Sequence, residues 1–300
     1  MQHAMKKASI RATAVGFTAI LMWATLAFLT KLSGALPPFQ LTAMAFTLAS
    51  LIGLGLRVRA GKSLGADRGA GPYAPTKLPM GAWLNGLWGL FGYHFFYFIA
   101  LQNAPAVEAS LIAYLWPLLI VLLSACLPGE RLRWFHCVGA LAGFIGAGLL
   151  VTSGQGLSFN PQYLLGYLAA LVCAFTWSGY SVLSRKFGAV PTSAVGSFCA
   201  VTAGLAWICH GLWETTVWPV GGEWGAIAFL GLGPIGLAFY TWDYGVKHGS
   251  IKALGALSYL APLLSTLLLV ATGFAEASWS LGLACLLIVG GAILASGDLT

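Results

Sequence analysis

Tyr114-Leu115-Trp116-Pro117-Leu118-Leu119 and Tyr259-Leu260-Ala261-Pro262-Leu263-Leu264 are one motif written twice, 145 residues apart. A second pair keeps the same order along the chain. Trp23, Lys31 and Gly34-Ala35-Leu36-Pro37 return as Trp177, Arg185 and Gly188-Ala189-Val190-Pro191, at a constant offset of 154. Glu130 and Glu276 follow the two motif prolines by thirteen and fourteen residues. Chance similarity between apolar stretches would not preserve that order. The chain therefore reads as two copies of one unit, residues 12–152 and 161–297.

The composition says what the unit is made of. Only 8% of the 300 residues are charged and 59% are hydrophobic, whereas soluble domains carry roughly 25% charged residues to clothe their surface. Stretches free of Asp, Glu, Lys and Arg run over 12–30, 32–56, 78–107, 109–129, 134–184, 187–213, 224–242, 253–275 and 277–297. A membrane helix needs about 20 apolar residues, and the 134–184 stretch is divided by the turn-forming segment 153–161. That predicts ten spans. No stretch alternates polar and apolar residues as a barrel strand would. The fold class is an all-α integral membrane protein with ten transmembrane helices. Five crossings per copy is an odd number, so the second copy is inserted upside down relative to the first.

Loop charges set the orientation. With the N-terminus inside, fourteen Lys and Arg fall on the cytoplasmic side and only Lys31 falls outside, a strong positive-inside pattern. Both termini are then cytoplasmic, and the longest polar segment, 57–78, is a cytoplasmic loop. The first apolar run is too long for a signal peptide and has a mid-chain copy, so it reads as a retained helix. The net charge of +7 is accordingly read as membrane orientation, with no nucleic-acid partner. The six cysteines are scattered singly; they read as small core residues, with no disulfide frame, metal site or cofactor implied.

Inverted repeats of this kind mark secondary transporters, in which two similar halves alternate access to a central site. The same residues carry a family resemblance. The Trp-x7-Lys/Arg at the end of the first helix of each half, Tyr-Leu-x-Pro-Leu-Leu in each fourth helix, the glutamates Glu130 and Glu276, and the Gly-rich fifth and tenth helices resemble the EamA-type, ten-helix members of the drug/metabolite transporter superfamily. Gly92-Tyr93-His94-Phe95-Phe96-Tyr97 and Ala113-Tyr114-Leu115-Trp116-Pro117 are similar to that superfamily's bacterial aromatic amino-acid exporters. The resemblance implies an inner-membrane exporter with a central cavity between the halves, and Phe, Tyr, Trp and related small metabolites as cargo.

Residues for such a cavity must be polar or aromatic and lie deep in a span. Tyr93, His94 and Tyr97 share a helix face near the middle of the third span; lipid-facing aromatics concentrate instead at the interfaces. His94 is an ionisable group where one is costly, the plainer alternative being a neutral histidine bonded to a neighbouring helix. Tyr114 and Trp116 precede Pro117, which lacks an N–H and frees the carbonyl of Ala113; Pro262 repeats the break in the other half, and Ser258 is the counterpart of Ala113. A packing kink is the alternative there. Trp177, set among Thr176, Ser178 and Tyr180, completes the list, with its counterpart Trp23 ranked below it for its plain apolar neighbours. Glu108 and Asp243 lie near span ends and are candidates for proton coupling. Gly139 and Gly143, with Gly290-Gly291, permit close helix packing, in a dimer or within one chain. His136 and His210, near span ends, read as interfacial.

Other functions fit less well. No phosphate-binding loop or nucleotide domain is present, so no ATPase subunit is expected. An intramembrane serine enzyme lacks a nucleophile elbow, and a channel lacks a visible filter. A transporter of another small metabolite or drug, in either direction, keeps the fold and changes only the cargo. The sequence leaves oligomeric state open.

Overall fold

The computed structural model describes residues 2–63, 78–156, 159–274, 276 and 278–295. Most of the expected 57–78 loop and the last five residues, 296–300, lie outside the described residues or their described side chains. Among the described residues the helical segments group into ten rods. We number them α1 (α1a, Gln2–Trp23; α1b, Leu26–Leu32), α2 (Pro38–Ser63), α3 (α3a, Met80–Leu87; α3b, Tyr93–Asn103), α4 (α4a, Ala106–Ala113; α4b, Trp116–Leu123), α5 (Trp134–Val151), α6 (Leu164–Ser184), α7 (Val195–Trp213), α8 (α8a, Glu223–Leu232; α8b, Ala238–His248), α9 (α9a, Ile251–Leu257; α9b, Leu260–Ala271) and α10 (Trp279–Ala295). Among the described residues eight of these rods are long and apolar enough to cross a membrane, and α10 is a shorter apolar helix. The remaining rod, α3, carries Asn85 and His94 in its run. Leu54, Leu165, Ile208, Leu286 and Ile293 stand exposed on the outer surface, as lipid-facing side chains must, because a bilayer rewards apolar exposure.

The rods pack in a pattern that survives exchange of the halves. α1a lies along α8b as α6 lies along α3b, α2 pairs with α7, α4b with α9a, and α5 with α10. Small residues permit these approaches: a methyl at Gly245 of α8b would stand 2.5 Å from the Cα of Gly16 in α1a. In the α5–α10 pair Gly139 meets the carbonyl of Gly291, so that glycine face is used within one chain.

Five rods are not plain α-helices. α3 and α8 each carry a π-helical segment, Trp88–Gly92 and Gly233–Leu237, again 145 residues apart. α4 and α9 break before their motif prolines, at Tyr114-Leu115 and Ser258-Tyr259, and α1 breaks after Trp23. Its counterpart α6 runs unbroken past Trp177, so the halves differ there.

On the face that holds the start of α1 and the ends of α4, α6 and α8, charges tie the rods together. Glu130 sits 3.3 Å from both Arg185 and Lys252, and Arg185 also donates to the carbonyl of Gly249 at 2.9 Å. This is called the basic face below. On the opposite face the counterparts differ: Lys31 lies over the ring of Phe274, 4.5 Å from its centroid, and Glu276 is exposed. There Glu214 caps α2, accepting from the N–H groups of Phe39 and Gln40 at 2.9 and 3.0 Å. His210 bonds Glu214 and Thr216, and His136 accepts from the Arg133 N–H. Both histidines lie at helix ends and are buried, His136 capping its helix and His210 bonding the carboxylate that caps α2.

Candidate functional site

The breaks and π segments converge on one place. α1a stops at Trp23, whose indole N–H donates to the carbonyl of Pro234 at 3.0 Å. A π segment spaces its bonds at i→i+5 and leaves carbonyls for outside donors; here that donor is a tryptophan from another rod. Around Trp23 stand Trp116 of α4b (ring centroids 6.1 Å apart), Trp177 of α6 (5.6 Å), and Phe239 and Trp242 of α8b (6.3 and 5.0 Å). Most of these pairs meet edge to face or tilted, the arrangement the ring quadrupoles favour. Tyr93 joins through Trp177 at 5.6 Å, and His94 touches Phe46 and Phe239 at 5.1 and 6.5 Å.

The polar atoms of the cluster are few and fixed. His94 Nδ1 lies 2.7 Å from the carbonyl of Leu90, within α3. A carbonyl only accepts, so Nδ1 carries a proton, and in the neutral ring Nε2 is the acceptor. Trp242 donates to Ser181 Oγ at 3.1 Å. Tyr97 stacks on Tyr93 at 6.1 Å and shares a 3.0 Å hydrogen bond with Ser110. Among the described residues no hydrogen bond or cation–π contact joins an Asp, Glu, Lys or Arg to these rings.

Packing is unequal above and below the rings. One turn toward the basic face, Ile20, Leu90, Ile120, Tyr180 and Trp242 are at most 1% exposed. One turn toward the opposite face, Leu26, Tyr97 and Tyr114 are only half-buried, although Cys173 of α6 is covered. The aromatic layer thus rests on a closed floor, while Tyr97 and Tyr114 on its other side keep partial exposure. A separate cleft of about 620 Å³ lies on the flank between α1b and α8a, lined by Phe28, Leu32, Glu223 and Phe229; none of the cluster's rings borders it.

Six of the seven cavity residues singled out from sequence meet here. Tyr93, His94, Trp116 and Trp177 are in the ring cluster, and Tyr97 and Tyr114 lie beside Tyr93 on its partly exposed side. Ser258 is 1% exposed and its hydroxyl donates to the Leu254 carbonyl inside its own rod, at 2.7 Å. Trp23, ranked low for its sequence neighbours, meets four rings from three other rods, next to the five that Trp177 meets. Trp242, Phe239 and Phe46 were missed. The repeat held the signal for two of them, since Trp242 and Phe239 stand 145 residues after Tyr97 and His94.

The two carboxylates have partners. Asp243 is 2% exposed, accepts from Thr192 at 2.7 Å and pairs with Lys247 at 2.8 Å. Glu108 is buried and accepts a hydrogen bond from the Tyr167 hydroxyl. Neither lies in the ring cluster. Pro117 and Pro262 both sit in the first turn of the second segment of their broken rods.

A multi-span helical membrane protein with an aromatic, charge-free meeting point of its rods is built for moving a small molecule. The chain belongs to the EamA-like transporter family, whose model matches it twice, over residues 11–152 and 164–297. It is 54% identical to the aromatic amino acid exporter YddG of Ancylobacter novellus, over 95% of this chain and 96% of that one. The YddG exporter of Escherichia coli is 25% identical over 95% and 96% of the two chains, and a biotin transporter of the same species 28% identical over 50% and 51%. A solved crystal structure 54% identical in sequence superposes with a TM-score of 0.87, covering 95% of this chain and 98% of its own.

Proposed function

We propose that this transporter exports aromatic amino acids, Phe, Tyr and Trp, and related small metabolites, from the cytoplasm across a bacterial inner membrane. The observation that carries the reading is the ring cluster: side chains from α1, α3, α4, α6 and α8 converge without a buried charge among them. Such a wall stacks a flat side chain at ~0.5–1.5 kcal/mol per ring beyond area burial. Neutral acceptors such as His94 Nε2 and the carbonyls freed at the helix breaks meet the ammonium end. A polyanionic cargo would find no cation here. The 54% and 25% identical relatives, both named aromatic amino acid exporters, support the same cargo.

Residues 12–152 and 161–297 act, in this reading, as inverted five-helix repeats, with ten crossings and both termini cytoplasmic. Packing that survives exchange of the halves supports the repeat, as does the family model's double match. Alternating access follows from two such halves. The basic face is then cytoplasmic, and its closed floor and Glu130 ties belong to a state open toward the outside. Tyr93, His94, Tyr97, Tyr114, Trp116 and Trp177 line the path, and Ser258 supports it from within α9.

Counterflow in proteoliposomes tests the cargo. Vesicles loaded with Phe or Trp should accumulate labelled Phe, while Ala, Gly and biotin should not drive it; Trp177→Ala and Tyr97→Ala should lower the rate while protein levels hold. Equal counterflow with aromatic and small aliphatic amino acids would refute the aromatic reading.

A further inference from the structure

We propose that Tyr259 is a positioning residue for transport: its hydroxyl replaces one helical hydrogen bond of α4 and so holds the break that sets Trp116 and Tyr114 at the aromatic cluster. In an unbroken helix the Leu118 N–H would donate to the carbonyl of Tyr114, four residues back. Here Leu118 N–H donates to the Tyr259 hydroxyl oxygen at 3.2 Å, and that hydroxyl donates to the Tyr114 carbonyl at 3.3 Å. One hydroxyl from α9 is spliced into the backbone ladder of α4. Pro117 makes a second gap at the same turn, having no N–H for the carbonyl of Ala113. Within a bilayer such groups need a protein partner, and Tyr259 supplies one to a donor and an acceptor together.

The hydroxyl is held in place by its ring. Tyr259 is 0% exposed, its ring lies 6.4 Å from that of Phe144, and it fills the space a side chain at Gly143 would need. α4b begins at Trp116, whose ring stands 6.1 and 6.2 Å from Trp23 and Trp177. The angle at the break therefore sets the depth of Trp116. The arrangement is one-sided. Tyr114 is the counterpart of Tyr259 in the repeated motif, yet its hydroxyl makes no hydrogen bond among the described residues.

The transport consequence rests on the aromatic-cargo reading, so the test has an arm that needs no cargo. Tyr259→Phe keeps the ring in its seat and removes the hydroxyl. In the purified protein, hydrogen–deuterium exchange at Leu118 should then speed up. In proteoliposomes the apparent KM for Phe counterflow should rise about two- to tenfold, the range of one lost hydrogen bond, with the maximal rate changing less. In a Trp116→Ala background Tyr259→Phe should add no further rise, because its effect runs through the rod that carries Trp116. Unchanged exchange at Leu118 overturns the splice, whatever the protein carries. Faster exchange with an unchanged KM overturns the positioning role, as does a full KM effect in the Trp116→Ala background. Absence of aromatic counterflow by the unmodified protein defeats the cargo reading alone, and exchange still decides the splice.

Discussion

Gly245→Ala tests whether the rods of opposite halves are in true backbone contact. The added methyl would stand 2.5 Å from the Cα of Gly16 and 3.0 Å from its amide nitrogen. Carbon atoms rest at about 3.5–4.0 Å, so α1a and α8b must part by about 1 Å, and neither obstacle is a flexible side chain. On either side of this contact lie the 3.0 Å bond from Trp23 to the Pro234 carbonyl and the 2.8 Å bond from the Ser250 N–H, just beyond α8b, to Thr13 Oγ1. Overpacking costs about 1–3 kcal/mol and a stretched hydrogen bond about 0.5–1.5 kcal/mol more. Alanine returns up to about 1 kcal/mol in helix propensity. The net is a loss of about 1–3 kcal/mol. Gly204→Ala in α7 is the control, since nothing lies within 4 Å of its added methyl and only the propensity gain remains. Apparent melting of the detergent-purified variants, at one scan rate, should place Gly245→Ala several degrees below Gly204→Ala. Equal melting, or the reverse order, would refute the contact between the rods.

Other perturbations follow from the charged groups. Glu130→Gln frees Arg185 and Lys252 from their 3.3 Å pairs; melting should fall by the equivalent of about 1–2 kcal/mol, and less at 1 M salt, which already weakens the pairs in the unmodified protein. A salt-independent loss would mean packing rather than charge. Asp243→Asn strands Lys247, which is 4% exposed at its side chain, and should cost about 3–5 kcal/mol; Asp243→Asn with Lys247→Met should recover most of the folded yield, and failure to recover would show that Asp243 serves more than its pair. Trp23→Phe keeps a ring but leaves the Pro234 carbonyl unpaired, so it should destabilise by about 1–3 kcal/mol, read by the same melting assay, whereas a silent substitution would remove that bond from the account.

The rods were legible because charge-free apolar runs of membrane length leave few alternatives, and because the Tyr-Leu-x-Pro motif fixed the register of the halves. The π segments were not. Their glycines, Gly89 and Gly92 in α3 and Gly233 and Gly236 in α8, look like ordinary membrane glycines until Tyr180 is seen to press on Gly89. Trp23 was undervalued by the company it keeps in sequence, when its burial is set by α4, α6 and α8 crossing it. Proline announced a break in α4 and the freed carbonyl of Ala113. It could not announce that a hydroxyl 145 residues away would enter the next bond of the ladder. Ser258 shows the converse: it is polar and buried, but a serine in a helix can satisfy itself on the preceding turn, here at Leu254.

The pairing of rods across the chain also decides what can travel as a rigid piece. α1a is stitched at both ends to the stretch that runs from Pro234 through α8b to Ser250 and touches it in the middle, through Trp23 and Pro234, Gly16 and Gly245, Thr13 and Ser250. α3 and α6 are joined likewise, with Asn85 donating to the Tyr180 carbonyl and to Ser184, and Gly166 lying against Ala104. Each of these solid pieces takes one rod from either copy of the sequence. Under the alternating access proposed above, the repeated unit is therefore not the unit that would move. A chain severed at Gln155 would yield two fragments, each holding one half of every such piece, and each would need the other present in the same membrane to fold.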